Sequence, residues 1–296
     1  MKNLKYLFLI AAVALSCSED DNNNNNTNAC SLLSLAEIHS VAANNPCAIA
    51  VSPSGYIAVS EYNGGYGTIA NIRIYSSYER FKSGTVSSVV TAIAPEAMVF
   101  DKDNNLYVAE TEQVAGIKVF DFVSEGAYNH KKTIQDDFNN PRGLAIDDQG
   151  RLYLADDGTG RIIKFDDPFN SNAHATIGNW DAGIKGLAIN GNVMFVANYV
   201  TNSVSRNILK ADGTFELLDD AVTVFKATDI SINGNTLVVT SYDNSTVSVF
   251  SNCDLSNENK HEYTDKGRVL GTAFLNATTI LTANHGADKA TTFSLQ

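Results

Sequence analysis

From Pro46 to the end, the chain repeats one pattern of hydrophobic and polar positions, with starts at 46, 95, 141, 184, 227 and 269. The third copy is the clearest: Pro141 to Ile146 (PRGLAI), a turn at Asp148 to Gly150, Leu152 to Asp156 (LYLAD), then Ile162 to Phe165 (IIKF). The first two copies follow it closely, at Pro46 to Val51 and Ile57 to Glu61, and at Pro95 to Phe100 and Leu106 to Glu110. The last three keep the frame, at Ile184 to Asn198, Ala227 to Ser241 and Val269 to Asn284. Apolar positions alternate with period two, which predicts strands whose side chains point to opposite faces in turn. Asn190-Gly191 and Asn233-Gly234 stand where the first two strands must reverse, and this dipeptide suits a tight hairpin. A weaker fourth strand precedes each new start, as at Ser87 to Ile93 and Lys131 to Ile134. Four antiparallel strands every 42 to 49 residues, six times over, predict an all-β fold, a six-bladed β-propeller. A parallel β-solenoid has a shorter period and no need for paired hairpin turns.

Side-chain size within the first strands supports that reading. One face carries Ile49, Met98, Leu144, Leu187 and Ile230, while the other carries Ala48, Ala97, Gly143, Gly186 and Gly271. Innermost strands crowd around an axis, so a large face must meet a small one. The last copy stops after its third strand, Ala290 to Leu295, and an apolar segment, Leu35 to Val41, precedes the first start. The expectation is that this N-terminal strand completes the last blade and leaves no free sheet edge at the seam.

The residues ahead of the repeats read differently. Lys2 and Lys5 precede an apolar run, Tyr6 to Leu15, too short to span a bilayer, which reads as a signal peptide over residues 1–16. The run ends in Ala14, Leu15, Ser16 and Cys17, which resembles a bacterial lipobox with Leu15 one place late. Ser18 to Asp21 and the asparagine tract that follows resemble the surface-export signal of Bacteroidota lipoproteins. The expected organisation is signal peptide 1–16, lipidated Cys17 with a disordered linker over 17–30, and propeller over 31–296. That implies a lipid-anchored protein of the outer membrane, exposed at the cell surface. With Cys17 acylated, Cys30, Cys47 and Cys253 remain. Cys30 and Cys253 fall on the same rim of adjacent blades and are the candidate disulfide, the alternative being three reduced, buried thiols. The formal charge is −12, with 21 basic against 33 acidic side chains and no basic run, which argues against nucleic acid as a partner.

The string from Pro141 to Phe165 resembles an NHL repeat, and the other copies resemble it more loosely. If strand order follows that family, the first strands start at an upper face and the loops after the second strands return to it. The resemblance then implies a binding mouth whose candidates are Glu61, Glu96, Glu110, Arg142, Asp156, Asp157, Lys185, Asp229, Asn284 and His285, with Trp180 as a flat surface nearby. Related six-bladed lactonases hold calcium through Glu, Asn and Asp at the second repeat position. Here that position holds Cys47, Glu96, Arg142, Lys185, Thr228 and Leu270, so two cations stand where a metal belongs. No G-x-S-x-G, H-E-x-x-H, C-x-x-C or phosphate loop is present, and Gly64 and Gly65 lie in a loop that no helix follows. The expected role is a non-enzymatic platform for a protein, glycan or small polar ligand, with no required cofactor. A calcium-dependent lactonase-like hydrolase and a structural envelope protein are the alternatives.

Overall fold

The computed structural model describes residues 34–296 apart from 63–66, 113–114, 212–213, 219–220, 252–254, 257–258 and 266. The signal peptide, Cys17, the linker and the Cys30 to Cys253 pair therefore lie outside the described residues.

Six antiparallel sheets form, each built from strands consecutive in the chain except for the last. Blade one contains β2 (Ile49–Val51), β3 (Ile57–Ser60), β4 (Ile69–Tyr75) and β5 (Ser88–Ile93). Blade two runs β6 (Pro95–Phe100), β7 (Leu106–Glu110), β8 (Gly116–Ser124) and β9 (Ala127–Gln135). Blade three runs β10 (Pro141–Ile146), β11 (Leu152–Asp156), β12 (Arg161–Phe165) and β13 (His174–Asn179). Blade four contains β14 (Ile184–Asn190), β15 (Val193–Asn198) and β16 (Ser203–Leu209), whose outer edge is shared by β17 (Phe215–Leu217) and β18 (Val222–Thr223). Blade five runs β19 (Ala227–Asn233), β20 (Thr236–Ser241), β21 (Thr246–Phe250) and β22 (Lys260–Thr264). Blade six joins β23 (Val269–Asn276), β24 (Thr279–Asn284) and β25 (Lys289–Leu295) to β1 (Leu35–Ala42) from the other end of the chain. The pairing runs from Leu35 opposite Leu295 to Ala42 opposite Lys289, so the N-terminal strand closes the ring as expected.

The crowding of the inner strands is visible at their glycines. A Cβ on Gly143 would lie 2.6 Å from the carbonyl oxygen of Lys185, and one on Gly186 would lie 2.8 Å from the Cα of Asp229. One on Gly271 would lie 2.9 Å from the Cα of Ala48. Each small residue thus admits the backbone of the next blade, and the large residues on the opposite face fill the space between sheets. The hairpin glycines take the positive φ assigned to those turns, at Gly191 (+60°) and Gly234 (+55°). Asn190 and Asn233 themselves remain paired, opposite Val193 and Thr236, so glycine opens each two-residue loop, as in type II′ turns.

The repeat pattern is interrupted within blade one. A short helix, α1 (Tyr78–Lys82), interrupts the passage from β4 to β5, with the Ser77 side chain accepting from the Arg80 N–H. Its Phe81 is fully buried between the seam blades, edge-on to Tyr75.

Candidate functional site

A one-residue irregularity builds the site. In blades two to five the pairing of the first two strands shifts at the second repeat position, leaving Glu96, Arg142, Lys185 and Thr228 as bulged residues. Blade six has a similar shift spanning Leu270, and in blade one Cys47 lies just ahead of its strand. A bulge frees a residue from the ladder and re-aims its side chain. Repeated around the ring, it turns these side chains toward the axis, where they form the floor of a cavity of about 350 Å³. Tyr62, Glu112, Tyr199, Tyr242 and His285 wall it.

The floor is charged and partly paired. Arg142 Nη1 meets Glu96 Oε1 at 2.8 Å, and its Nε lies 3.5 Å from Asp157 Oδ2. Asp157 also accepts from Asn140 Nδ2 at 2.8 Å, and burial raises its carboxyl above the usual range despite the nearby cations. Lys185 has no carboxylate in ion-pair range among the described residues. Its ammonium instead lies 3.9 Å from the centre of the Tyr199 ring, and the Lys226 ammonium lies 4.2 Å from the same ring. Burial, then the charge of Arg142, lowers the Lys185 pKa. On the blade-six side Arg268 Nη1 donates to Tyr242 Oη at 2.8 Å, and between blades four and five Tyr199 Oη donates to Asp243 Oδ2 at 3.0 Å. Arg142 and Lys185 thus stand at the mouth, with Lys226 and Arg268 against its wall tyrosines, on a chain that is acidic overall. Cys47 Sγ lies 3.7 Å from His285 Nδ1, but burial holds the thiol far above its usual pKa, so it is no nucleophile at neutral pH.

Of the sequence candidates, Glu96, Arg142, Lys185 and His285 meet at this mouth. Glu61, Glu110, Asp156 and Asn284 are buried and turned into the crossovers between blades. Glu61, Glu110 and Asp156 accept from the backbone N–H of Asn44, Ile93 and Asn139 at 3.0, 2.7 and 2.7 Å. A cation from the third strand balances each: Arg73 on Glu61 at 2.8 Å, Lys118 on Glu110 at 3.8 Å and Arg161 on Asp156 at 3.0 Å. In blades four to six neutral groups reach the same crossovers, Asn198 to the Asp181 carbonyl, Ser241 to the Phe225 carbonyl and Asn284 to the Asp265 carboxylate. Trp180 stands away from the mouth, edge-on to Phe215 of the outer strand β17, with ring centroids 5.5 Å apart. Asp229 lies below the floor, at the neck joining the mouth to a lower chamber.

The wall residues Tyr62, Tyr199 and Tyr242 were not among the candidates, although the sequence carries a signal for them. They occupy the place directly after the crossover residue, as His285 does in blade six. The aromatic column lies one residue beyond the crossover position in blades one, four, five and six, and is replaced by Thr111 and Asp157 in blades two and three.

Residues 138–165 match the model of the NHL repeat, and no curated protein sequence matches the chain. Among solved structures the chain is similar to a protein of unknown function from Bacteroides thetaiotaomicron VPI-5482, with TM-score 0.66 and 11% identity over 89% of this chain and 72% of that one. It is similar to a streptogramin B lyase, with TM-score 0.59 and 12% identity over 89% of this chain and 98% of that one. A virginiamycin B lyase from Staphylococcus aureus gives TM-score 0.57 and 11% identity over 89% of this chain and 100% of that one. Likeness at these identities concerns the fold. With one copy matched in sequence and six sheets closed in a ring, the chain is a six-bladed β-propeller that carries an NHL repeat.

Proposed function

We propose that the chain is a surface lipoprotein whose propeller mouth binds a small polar ligand bearing a carboxylate, without chemistry. The reading rests on Lys185, a half-buried cation at the floor that has no carboxylate in ion-pair range among the described residues and lies against an aromatic ring. A ligand carboxylate supplies the missing partner, and a charge-assisted hydrogen bond in a partly desolvated cleft is stronger than one in water. Tyr62, Tyr199 and Tyr242 give such a ligand flat apolar surface, while Glu96 and Asp157 occupy Arg142 and hold it in place. A sugar acid or a compact acidic metabolite combines these features. The lactonase-like alternative lacks a comparable observation, since Cys47 is held as a thiol and two cations stand at the axis.

Calorimetric titration of the mature protein with glucuronate, glutamate and benzoate, each beside its uncharged counterpart, tests the reading. The expected result is that at least one acid binds, that its neutral counterpart binds at least about tenfold more weakly, and that Lys185→Met removes the difference. Equal binding of acid and neutral forms, or an unchanged Lys185→Met variant, sinks it. Incorporation of labelled palmitate that Cys17→Ala abolishes is the separate test of the lipid anchor.

A further inference from the structure

Asp229 breaks the rule of the inner strands. At the third repeat position the other five blades carry Ala48, Ala97, Gly143, Gly186 and Gly271, where neighbouring backbones nearly touch. Blade five places a carboxylate there. Its Oδ2 accepts from the Thr272 N–H of blade six at 2.8 Å and its Oδ1 from the Ile230 N–H at 2.9 Å. Two backbone donors leave each oxygen free to accept again. No ion pair reaches Asp229 among the described residues: of the two cations lining the neck above it, Arg142 is paired with Glu96 and Lys185 lies against the Tyr199 ring.

Below the neck the channel widens into a chamber of about 440 Å³ open to the lower face. Mostly apolar residues line it, with Met98, Leu144, Leu187 and Ile230 supplied by successive blades, polar groups are exposed between them, and Asp229 is its one charged member among the described residues. Ser231 and Thr272 line the same corner, their hydroxyl oxygens 3.2 Å apart. A carboxylate and two hydroxyls beside the apolar side chains of the chamber are three acceptors for three donors.

We propose that this lower chamber is a second binding site, separate from the mouth, taking the primary ammonium of a compact apolar molecule with Asp229 as its anchor. The ammonium donates to Asp229, Ser231 and Thr272, and the apolar body displaces water from the chamber wall. Burial also pushes the Asp229 carboxyl up to about 7, so the anchor passes from about one tenth to about nine tenths ionised between pH 6 and pH 8. A primary amine with a pKa on the order of 10 stays protonated throughout that range. The titratable and charged groups nearest Asp229 are Lys185 of β14, Glu96, Arg142 and Cys47, all at the neck above it, while on the chamber side β14 contributes Gly186 and β23 contributes Thr272.

The probe is 2-phenylethylamine, titrated calorimetrically into the mature protein beside 2-phenylethanol and the N,N,N-trimethyl analogue. Binding of the amine is expected to tighten about tenfold from pH 6 to pH 8, following ionisation of Asp229. The alcohol and the trimethyl analogue are expected to bind at least about tenfold more weakly, the latter because it cannot donate. Asp229→Ala, which installs the residue of blades one and two, should abolish the preference and the pH dependence while the melting transition remains cooperative. The proposal is overturned if the alcohol binds as well as the amine, if the affinity does not change with pH, or if a folded Asp229→Ala or Asp229→Asn variant retains the wild-type constant. The ligand comparison and the pH series use the unaltered protein, so they decide the matter even if neither variant folds.

Discussion

The Asp156 carboxylate accepts a hydrogen bond from the Asn139 backbone N–H at 2.7 Å, tying the end of β11 to the crossover that delivers the chain into blade three. Its other oxygen receives Thr159 Oγ1 at 2.6 Å and Arg161 Nη2 at 3.0 Å. Asp156 is fully buried, so Asp156→Ala strands the Asn139 backbone donor, while Arg161 keeps its ion pair with Asp137 at 3.2 Å. A loss of about 2 kcal/mol is expected, since a buried donor left without its acceptor costs its full desolvation. Urea unfolding measures it. Asp156→Asn keeps one acceptor and should lose less, and a change below 1 kcal/mol in the alanine variant contradicts this role.

The ring seam gives a second expectation. β1 pairs along its length with β25, and Leu35 and Val41 are buried in clusters on either face of blade six. Deleting residues through 42 exposes the β25 edge and both clusters, so the shortened chain should melt earlier and self-associate. Static light scattering during a thermal ramp reads both effects. Glu37→Ala removes only the partly exposed contact with Lys289 at 3.3 Å, and its effect should stay below about 1 kcal/mol. Equal damage from the two changes would mean that strand pairing does not close the ring.

Much of this was legible before any coordinates. The 42-to-49-residue spacing, the large and small faces and the stray N-terminal strand are local patterns, and together they fixed six blades and the seam. The second repeat position was singled out through the resemblance to lactonases, and the bulge that recurs there is what turns it to the mouth. What could not be read was the aim of the strand-end acids. Glu61, Glu110 and Asp156 each reach back 17 residues to a backbone N–H, a contact invisible to periodicity. Polar residues near a mouth resemble ligands for the mouth, whereas here the buried backbone donors of the crossovers claim them first. Helix α1 was hidden for a related reason, since five residues with one buried phenylalanine give no helical period.

Two glycine substitutions should separate packing from backbone strain. Gly143→Ala places a methyl 2.6 Å from the Lys185 carbonyl oxygen, a backbone atom that cannot swing aside. It should cost about 2 to 3 kcal/mol and, by moving the Lys185 backbone, weaken carboxylate binding at the mouth. Gly191→Ala meets nothing within 4 Å but must hold φ near +60°, so about 1 kcal/mol is expected with the mouth untouched. Paired melting and titration of the two variants distinguish the causes. A binding loss in Gly191→Ala would show that the lower hairpins communicate with the mouth.

Asp229 ties stability to pH in a direction opposite to that of a salt-bridged carboxylate. Its pKa is about 7 in the folded chain against 3.8 for an unperturbed aspartate. Below about pH 4 both states hold the proton and the group contributes nothing. As pH rises from about 4 to about 7 the unfolded chain releases the proton first, so unfolding is favoured and stability falls; above about 7 both states are ionised and the penalty is constant. That penalty is at most about 4 kcal/mol, and channel water reaching the carboxylate reduces it. Glu110 and Asp157, whose carboxyls burial also raises, add slopes of the same sign, so the difference between wild type and variant isolates Asp229. Urea midpoints from pH 4 to pH 8 should show wild type losing stability relative to Asp229→Ala up to about pH 7, then running parallel to it. A constant offset across the range would mean that Asp229 ionises as readily in the channel as in water, and would remove the pH dependence expected of the lower chamber.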